Sequence, residues 1–177
     1  MRHRMAFQVE VLKKVALLGD PAVGKTSLIR RYVFDEFSDM YITTIGTKVS
    51  KKEVLVNETI KVTMLIWDIL GQDEFQFLHA TYYQGSAGAL IVCDGTRPET
   101  IDHLRKWVTN FFNTVGRVPV IFLVNKADII DRDTFYSQPL EDLCAEVGAT
   151  WMFSSAKNGE NVDRSFQNMA SFIAESL

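Results

Sequence analysis

Two cysteines in 177 residues are too few, and stand in no motif spacing, for a disulfide framework or a thiolate metal site. Cys93 falls inside Ala89-Leu90-Ile91-Val92-Cys93-Asp94, which reads as a buried strand, and Cys144 in a helical stretch, so both read as reduced packing residues. No apolar run approaches the ~18 residues that a membrane-spanning helix needs. The start, Met1-Arg2-His3-Arg4, lacks the apolar core of a secretory signal, and its small basic cluster reads as a frayed end. Charge of one sign is also missing: 19 Lys and Arg against 22 Asp and Glu leave −3, which gives no argument for a nucleic-acid partner. Internal repeats, low-complexity tracts and linkers are absent too, so one domain over residues 1–177 is expected. The 47% hydrophobic content suits a sound core and excludes a disordered, tail-like chain.

What is present is concentrated in three short motifs. Gly19-Asp20-Pro21-Ala22-Val23-Gly24-Lys25-Thr26 follows the apolar, strand-like run Val15-Ala16-Leu17-Leu18 and precedes Ser27-Leu28-Ile29-Arg30-Arg31, which reads as the first turns of a helix. A strand, a glycine-containing loop and a helix N-terminus in that order aim several backbone N–H groups at one point, and the helix dipole adds positive charge there. In such a phosphate-binding loop Lys25 bonds the outer phosphates and the Thr26 hydroxyl coordinates Mg²⁺, with Asp20, Pro21, Ala22, Val23, Gly24 and Ser27 lining the phosphates.

The second motif, Asn125-Lys126-Ala127-Asp128, ends the apolar run Val118–Val124, which reads as a buried parallel strand. Guanine offers N1–H and a 2-amino group, and one carboxylate such as Asp128 accepts from both; adenine would leave it poorly paired. Lys126 can lie along the base plane with its aliphatic stem, and Asn125 is expected to tie this loop to the phosphate loop rather than to touch the base. The third, Ser154-Ser155-Ala156-Lys157-Asn158-Gly159, follows the short strand Thr150-Trp151-Met152-Phe153. There the Ala156 N–H can meet the guanine 6-oxo group, Ser155 can hold the loop's shape, and Lys157 joins the same contact region.

In order and spacing these motifs resemble those of Ras-superfamily small GTPases, most closely the Rab branch, over nearly the whole chain. Tyr41-Ile42-Thr43-Thr44-Ile45-Gly46 resembles the first switch, and Trp67-Asp68-Ile69-Leu70-Gly71-Gln72 the second. Ala80-Thr81-Tyr82-Tyr83-Gln84-Gly85-Ser86-Ala87-Gly88 is similar to a Rab-type segment closing the second switch helix. The resemblance implies a guanine-nucleotide switch that binds GTP or GDP with Mg²⁺, hydrolyses GTP and changes two segments to select effectors. It implies that Thr44 completes the Mg²⁺ shell with Thr26, that Asp68 contacts the ion through water, and that Gly71 approaches the γ-phosphate. Gln72 would orient the attacking water, making Gln72, Lys25, Thr44 and Gly71 the catalytic set. Tyr41 belongs to the nucleotide-facing first switch, and Phe37 takes the place of an aromatic packed edge-on to the base, with Phe34 a nearby competitor. Loss of the γ-phosphate then releases both segments.

Several features depart from the family pattern. Pro21 removes an N–H and adds a ring near the place of the nucleophilic water; Ala22 is bulkier than usual there, and Leu70 replaces a small residue. No Lys or Arg lies between Phe34 and Thr43, so the first switch brings no arginine of its own. Hydrolysis is therefore expected to be slow alone and accelerated by an activating protein; in Ras the unassisted rate is on the order of 10⁻⁴ s⁻¹ and a partner's arginine adds about 10⁵-fold. A binding scaffold with little or no hydrolysis is the second reading, with Pro21 and Leu70 as its reason. A small-substrate kinase is the third, opposed by the guanine motif and by the lack of an arginine-rich lid.

Rab relatives usually end in prenylated cysteines, whereas this chain ends Ala174-Glu175-Ser176-Leu177, so membrane association is not encoded in it. A cytoplasmic protein is expected, peripheral on membranes only if a removed tail or a partner anchors it, with a monomer as the default. Val49, Trp67 and Tyr82 fall at positions similar to a Rab aromatic–apolar triad, with Phe75, Phe77 and Leu78 nearby, which suggests a surface for an exchange factor and effectors.

The expected fold is α/β of the P-loop NTPase kind: a six-stranded, mostly parallel sheet with one antiparallel edge strand and helices on both faces. Strands are read at 9–18, 48–56, 61–68, 88–94, 118–125 and 150–154, and helices at 25–34, 73–83, 98–114, 139–147 and 162–175. Val162, Phe166, Met169 and Ile173 recur at helical spacing as a core-facing stripe.

Overall fold

Residues 15–18 and 120–124 are apolar without alternation, the pattern of strands covered on both faces. The computed structural model describes residues 9–35, 47–69 and 76–177, with only the backbone of 76–78, and it bears that pattern out. Among the described residues six strands form one sheet in the order β2-β3-β1-β4-β5-β6. They are β1 Val9–Leu18, β2 Lys48–Leu55, β3 Ile60–Asp68, β4 Ser86–Asp94, β5 Val120–Asn125 and β6 Thr150–Phe153. Only the edge pair β2–β3 is antiparallel, turning through Asn57, whose side-chain oxygen accepts from the N–H groups of Thr59 and Ile60. The pairings of β1 with β3 and β4, of β4 with β5 and of β5 with β6 are parallel.

The helices are α1 Lys25–Phe34, α2 Gln76–Tyr83, α3 Pro98–Asp102, α4 Leu104–Val115, α5 Gln138–Val147 and α6 Val162–Glu175. Alternate residues of β1 enter opposite cores. Val15 and Leu17 pack with Leu28 and Tyr32 of α1 and with Phe166, Met169 and Ile173 of α6; Ala16 and Leu18 pack with Tyr83, Trp107, Phe111 and Leu140 of α2, α4 and α5. The Tyr32 and Phe166 rings stack 4.0 Å apart, which ties α1 to α6 across the first core. The stripe Val162, Phe166, Met169, Ile173 is buried throughout. Cys93 and Cys144 are buried and free, and burial pushes their thiols up to about 12 and about 11. No described helix is long and apolar enough to cross a membrane.

Three elements differ from expectation, the first being β5, which begins at Val120 rather than 118. The pattern over 98–114 predicts one helix, whereas α3 and α4 are divided at the single residue His103, φ −75° and ψ −11°. The i→i−4 bonds from His103 N–H to Glu99 O and from Trp107 N–H to His103 O are kept across it, and the His103 ring reaches Asp20 at 2.5 Å. β4 also begins at Ser86 rather than 88, because Lys14 of β1 pairs with Ser86 despite the neighbouring glycines.

Candidate functional site

The loops after β1, β5 and β6 meet at the C-terminal edge of the parallel sheet, where ligands of such sheets bind. In the first, residues 19–26, the carbonyls are held one after another. The Lys25 ammonium donates to Gly19 O and Asp20 O at 2.8 Å each. Arg97 Nη2 donates to Pro21 O at 2.8 Å, Lys126 Nζ to Ala22 O at 3.2 Å, and Asn125 Nδ2 to Val23 O at 2.9 Å. Gly24 O accepts from the N–H of Leu28, the first turn of α1. In a trans peptide the C=O and the following N–H point in opposite directions. Anchoring the carbonyls of Pro21, Ala22 and Val23 on outside donors therefore turns the N–H groups of Ala22, Val23 and Gly24 away from those donors. The N-terminus of α1 carries no side-chain cap and no acidic residue in its first turn, which leaves its positive end for an anion.

Two residues set the tightness of this loop. A Cβ on Gly24, at φ +103°, would lie 2.2 Å from Asn125 Nδ2, so only glycine permits the Asn125–Val23 bond. Ala22 sits at φ 64°, a left-handed conformation that costs a non-glycine residue roughly 1 kcal/mol. Pro21, by contrast, lacks an N–H to turn inward.

The anchors are themselves held. Buried Asp94, at the end of β4, faces Lys126 Nζ at 2.7 Å and Arg97 Nε at 3.1 Å, while its other oxygen accepts from the N–H and hydroxyl of Thr96. Burial alone would raise its carboxyl, but the hydrogen bonds from Lys126, Thr96 and Arg97 hold it below the ordinary value. The Asp20 carboxylate is gripped by Trp107 Nε1 at 2.8 Å and by the His103 ring. Burial brings Lys25 down from 10.5 to about 8, against the opposing fields of Asp68 and Asp20. Thr26 Oγ1 donates to Asp68 Oδ2 at 2.5 Å, which brings a hydroxyl and a buried carboxylate together beside the loop. Two hard oxygens of this kind fit Mg²⁺, which takes few protein ligands and keeps phosphate oxygens and waters.

Asp128 and the loop after β6 also meet: Ser155 Oγ donates to Asp128 Oδ1 at 2.7 Å, and Ser154 Oγ to Asn125 Oδ1 at 3.2 Å. Ser155 O accepts from Gly159 N–H at 2.8 Å, which fixes the peptide that carries the Ala156 N–H. Lys157 lies next in this loop, its carbonyl held by Arg31. Ser27 follows Thr26 in the first turn of α1. Phe37, Tyr41, Thr44, Leu70, Gly71, Gln72 and Phe75 lie outside the described residues, as do Arg2, His3 and Arg4. Of Phe77 and Leu78 only the backbone is described.

Of the triad, Val49 pairs across from Trp67 in the β2–β3 ladder, and the Trp67 and Tyr82 rings lie 6.4 Å apart. Lys14 Nζ sits 3.9 Å over the Trp67 ring. Sequence reading missed Asp94, Arg97, His103 and Trp107. Asp94 left a signal, a lone carboxylate ending an apolar strand as Asn125 does; the other three act on distant partners and left none.

The chain matches the model of the Ras family over residues 14–175. It is 35% identical to the Ypt/Rab-type GTPase YPT7 of Saccharomyces cerevisiae, over 94% of this chain and 83% of that protein. The Ras-related protein Rab7 of Drosophila melanogaster is 36% identical over 94% of this chain and 82% of its own length. The Ras-related protein RABA4a of Arabidopsis thaliana is 31% identical over 94% and 74%.

Two outcomes follow from this geometry. Ala22→Gly relieves the left-handed strain but loosens the unfolded chain, so stability should stay level or rise by up to about 1 kcal/mol in urea unfolding; a loss of that size would contradict the strain. A phosphate anion beside Lys25 restores its charge, so GDP binding near pH 8 should take up protons. Affinity should then fall as pH rises above 8. Calorimetry in buffers of different ionisation enthalpy reads the uptake, and none at pH 8 would place the phosphates away from Lys25.

Proposed function

Since this chain belongs to the Ras family and is a Rab-like GTPase, we propose that residues 1–177 form one G domain that switches between GTP- and GDP-bound states in membrane traffic. The observation that carries the reading is the run of carbonyls from Pro21 to Val23 held by Arg97, Lys126 and Asn125. It supports a loop whose N–H groups cradle the β- and γ-phosphates, with Asp20, Pro21, Ala22, Val23, Gly24 and Ser27 around them.

Lys25 then exchanges its two carbonyl contacts for phosphate oxygens, and its burial makes that exchange favourable. Thr26 and Asp68 would hold Mg²⁺, the hydroxyl as a ligand and the carboxylate by way of water, a reading that the 2.5 Å contact between them supports. When bound, Mg²⁺ neutralises charge on the β- and γ-oxygens. Asp128, oriented by Ser155, accepts from guanine N1–H and the 2-amino group, and the N–H groups of Ala156 and Lys157 meet the 6-oxo group. Lys126 places its stem along the base while its ammonium stays on Ala22 O and Asp94.

The parts of the mechanism outside the described residues rest on resemblance. Thr44 completes the Mg²⁺ shell, Gly71 meets the γ-phosphate, Gln72 positions the attacking water, and Phe37 and Tyr41 flank the nucleotide. An activating protein supplies an arginine. An exchange factor and effectors meet the switch surface at Val49, Trp67 and Tyr82, of which Val49 is 49% exposed. The protein works as a monomer in the cytoplasm and is peripheral on membranes only where a tail or a partner anchors it.

The test is single-turnover hydrolysis of preloaded Mg²⁺·GTP. Slow turnover that Gln72→Leu lowers by a hundredfold or more is expected; tight GTP binding with no hydrolysis in either protein would overturn the switch. For the partner face, Trp67→Ala should abolish capture of GTP-dependent partners while leaving GDP affinity within about twofold. Retention of every partner would remove that surface from the account.

A further inference from the structure

Arg31, on the last turn of α1, is not among the residues that bind phosphate or base, yet its guanidinium is spent on the base loop. Its Nε donates to Ala156 O at 2.7 Å and its Nη2 to Lys157 O at 2.6 Å, across 125 and 126 residues of sequence. Nη1 reaches Asp35 at 3.2 Å, the residue that caps α1 in a left-handed conformation. The side chain is only 21% exposed, and its Cδ lies 3.9 Å from where a Cβ on Gly159 would stand.

The loop after β6 is otherwise held from within and, at Ser154 and Ser155, by Asn125, Ala127 and Asp128. Ser155 N–H bonds Glu160 O, Gly159 N–H bonds Ser155 O, and Asn158 N–H bonds Ser155 Oγ. These bonds set the peptide before Ala156, but not the one after it. The peptide between Ala156 and Lys157 carries the Ala156 C=O and the Lys157 N–H on opposite sides. Arg31 holds the first of these, so it aims the second away from α1. A cation on that carbonyl also polarises the peptide and makes its N–H a better donor.

We propose that Arg31 is a positioning residue for base selection: it orients and polarises the Ala156–Lys157 peptide that reads the 6-oxo group of guanine. This rests on the guanine reading of the site given above. Arg31 touches neither base nor phosphate; it acts through the loop, from the same helix whose N-terminus receives the phosphates. Phosphate and base recognition thereby share one rigid element, with Lys25 at its start and Arg31 in its last turn.

Paired base analogues test the idea. 6-Thio-GDP keeps N1–H and the 2-amino group but replaces the 6-oxo group by a poorer acceptor, whereas IDP keeps the 6-oxo group and loses the 2-amino group. The wild type should prefer GDP over 6-thio-GDP by about tenfold, the worth of one or two hydrogen bonds. In Arg31→Ala that preference should fall below about threefold while the GDP-to-IDP ratio, read by Asp128, stays unchanged. Arg31→Lys, which keeps the charge but not the fork, should fall between and carries the test if Arg31→Ala does not fold. Equal loss of affinity for GDP, 6-thio-GDP and IDP would make Arg31 a general support of the fold and overturn the proposal. A wild type that binds ADP as tightly as GDP would instead overturn the guanine reading itself.

Discussion

Backbone carbonyls cannot be left facing a polyphosphate, and in this protein three in a row are turned away from it by side-chain donors. Arg97, Lys126 and Asn125 hold Pro21 O through Val23 O, and helix α1 takes Gly24 O. Without these donors the loop's peptides would be free to rotate, and an inward carbonyl would repel the phosphate that an inward N–H attracts. The rest of the site can be followed outward from this constraint. Asp94 is buried because two of the donors need a counter-charge, and Gly24 is glycine because Asn125 passes within 2.2 Å of its Cβ position.

The same anchors explain why three separate loops behave as one site. Asn125 and Lys126 sit at the start of the base-reading loop but each donates to a carbonyl of the phosphate loop. Asp128 is tied to Ser155, and Ser154 to Asn125, so the loops after β5 and β6 are linked side chain to side chain. Arg31 closes the circuit from the far end of α1. The second core makes this arrangement rigid, because Trp107 is packed among Tyr83, Phe111 and His79 while its indole N–H grips Asp20.

The sequence made the sheet legible because its parallel strands are unbroken apolar runs and its loops carry glycine at the strand ends. β1, α1 and α6 fall at the expected bounds, and the guanine and phosphate motifs lie at one edge of the sheet as their order requires. What stayed hidden were contacts onto backbone carbonyls. Any residue offers a carbonyl, so nothing in the spelling of Pro21, Ala156 or Lys157 announces Arg97 or Arg31. The division at His103 left no mark either: the helical pattern over 98–114 is continuous, and the partner of His103, the Asp20 carboxylate, lies 83 residues away.

The most direct test of this account removes one anchor and asks about phosphate without any base. Asn125→Ala deletes the donor to Val23 O, changes no charge, and is checked for folding by circular dichroism. Titration with Mg²⁺ and inorganic pyrophosphate, followed on the amide resonances of Gly24 and Lys25, then reads the loop alone. A pyrophosphate Kd weakened by about tenfold, the worth of one hydrogen bond, is the predicted result. Unchanged pyrophosphate affinity together with weakened GDP binding would mean that Asn125 serves the base only, and that the loop holds its shape without it.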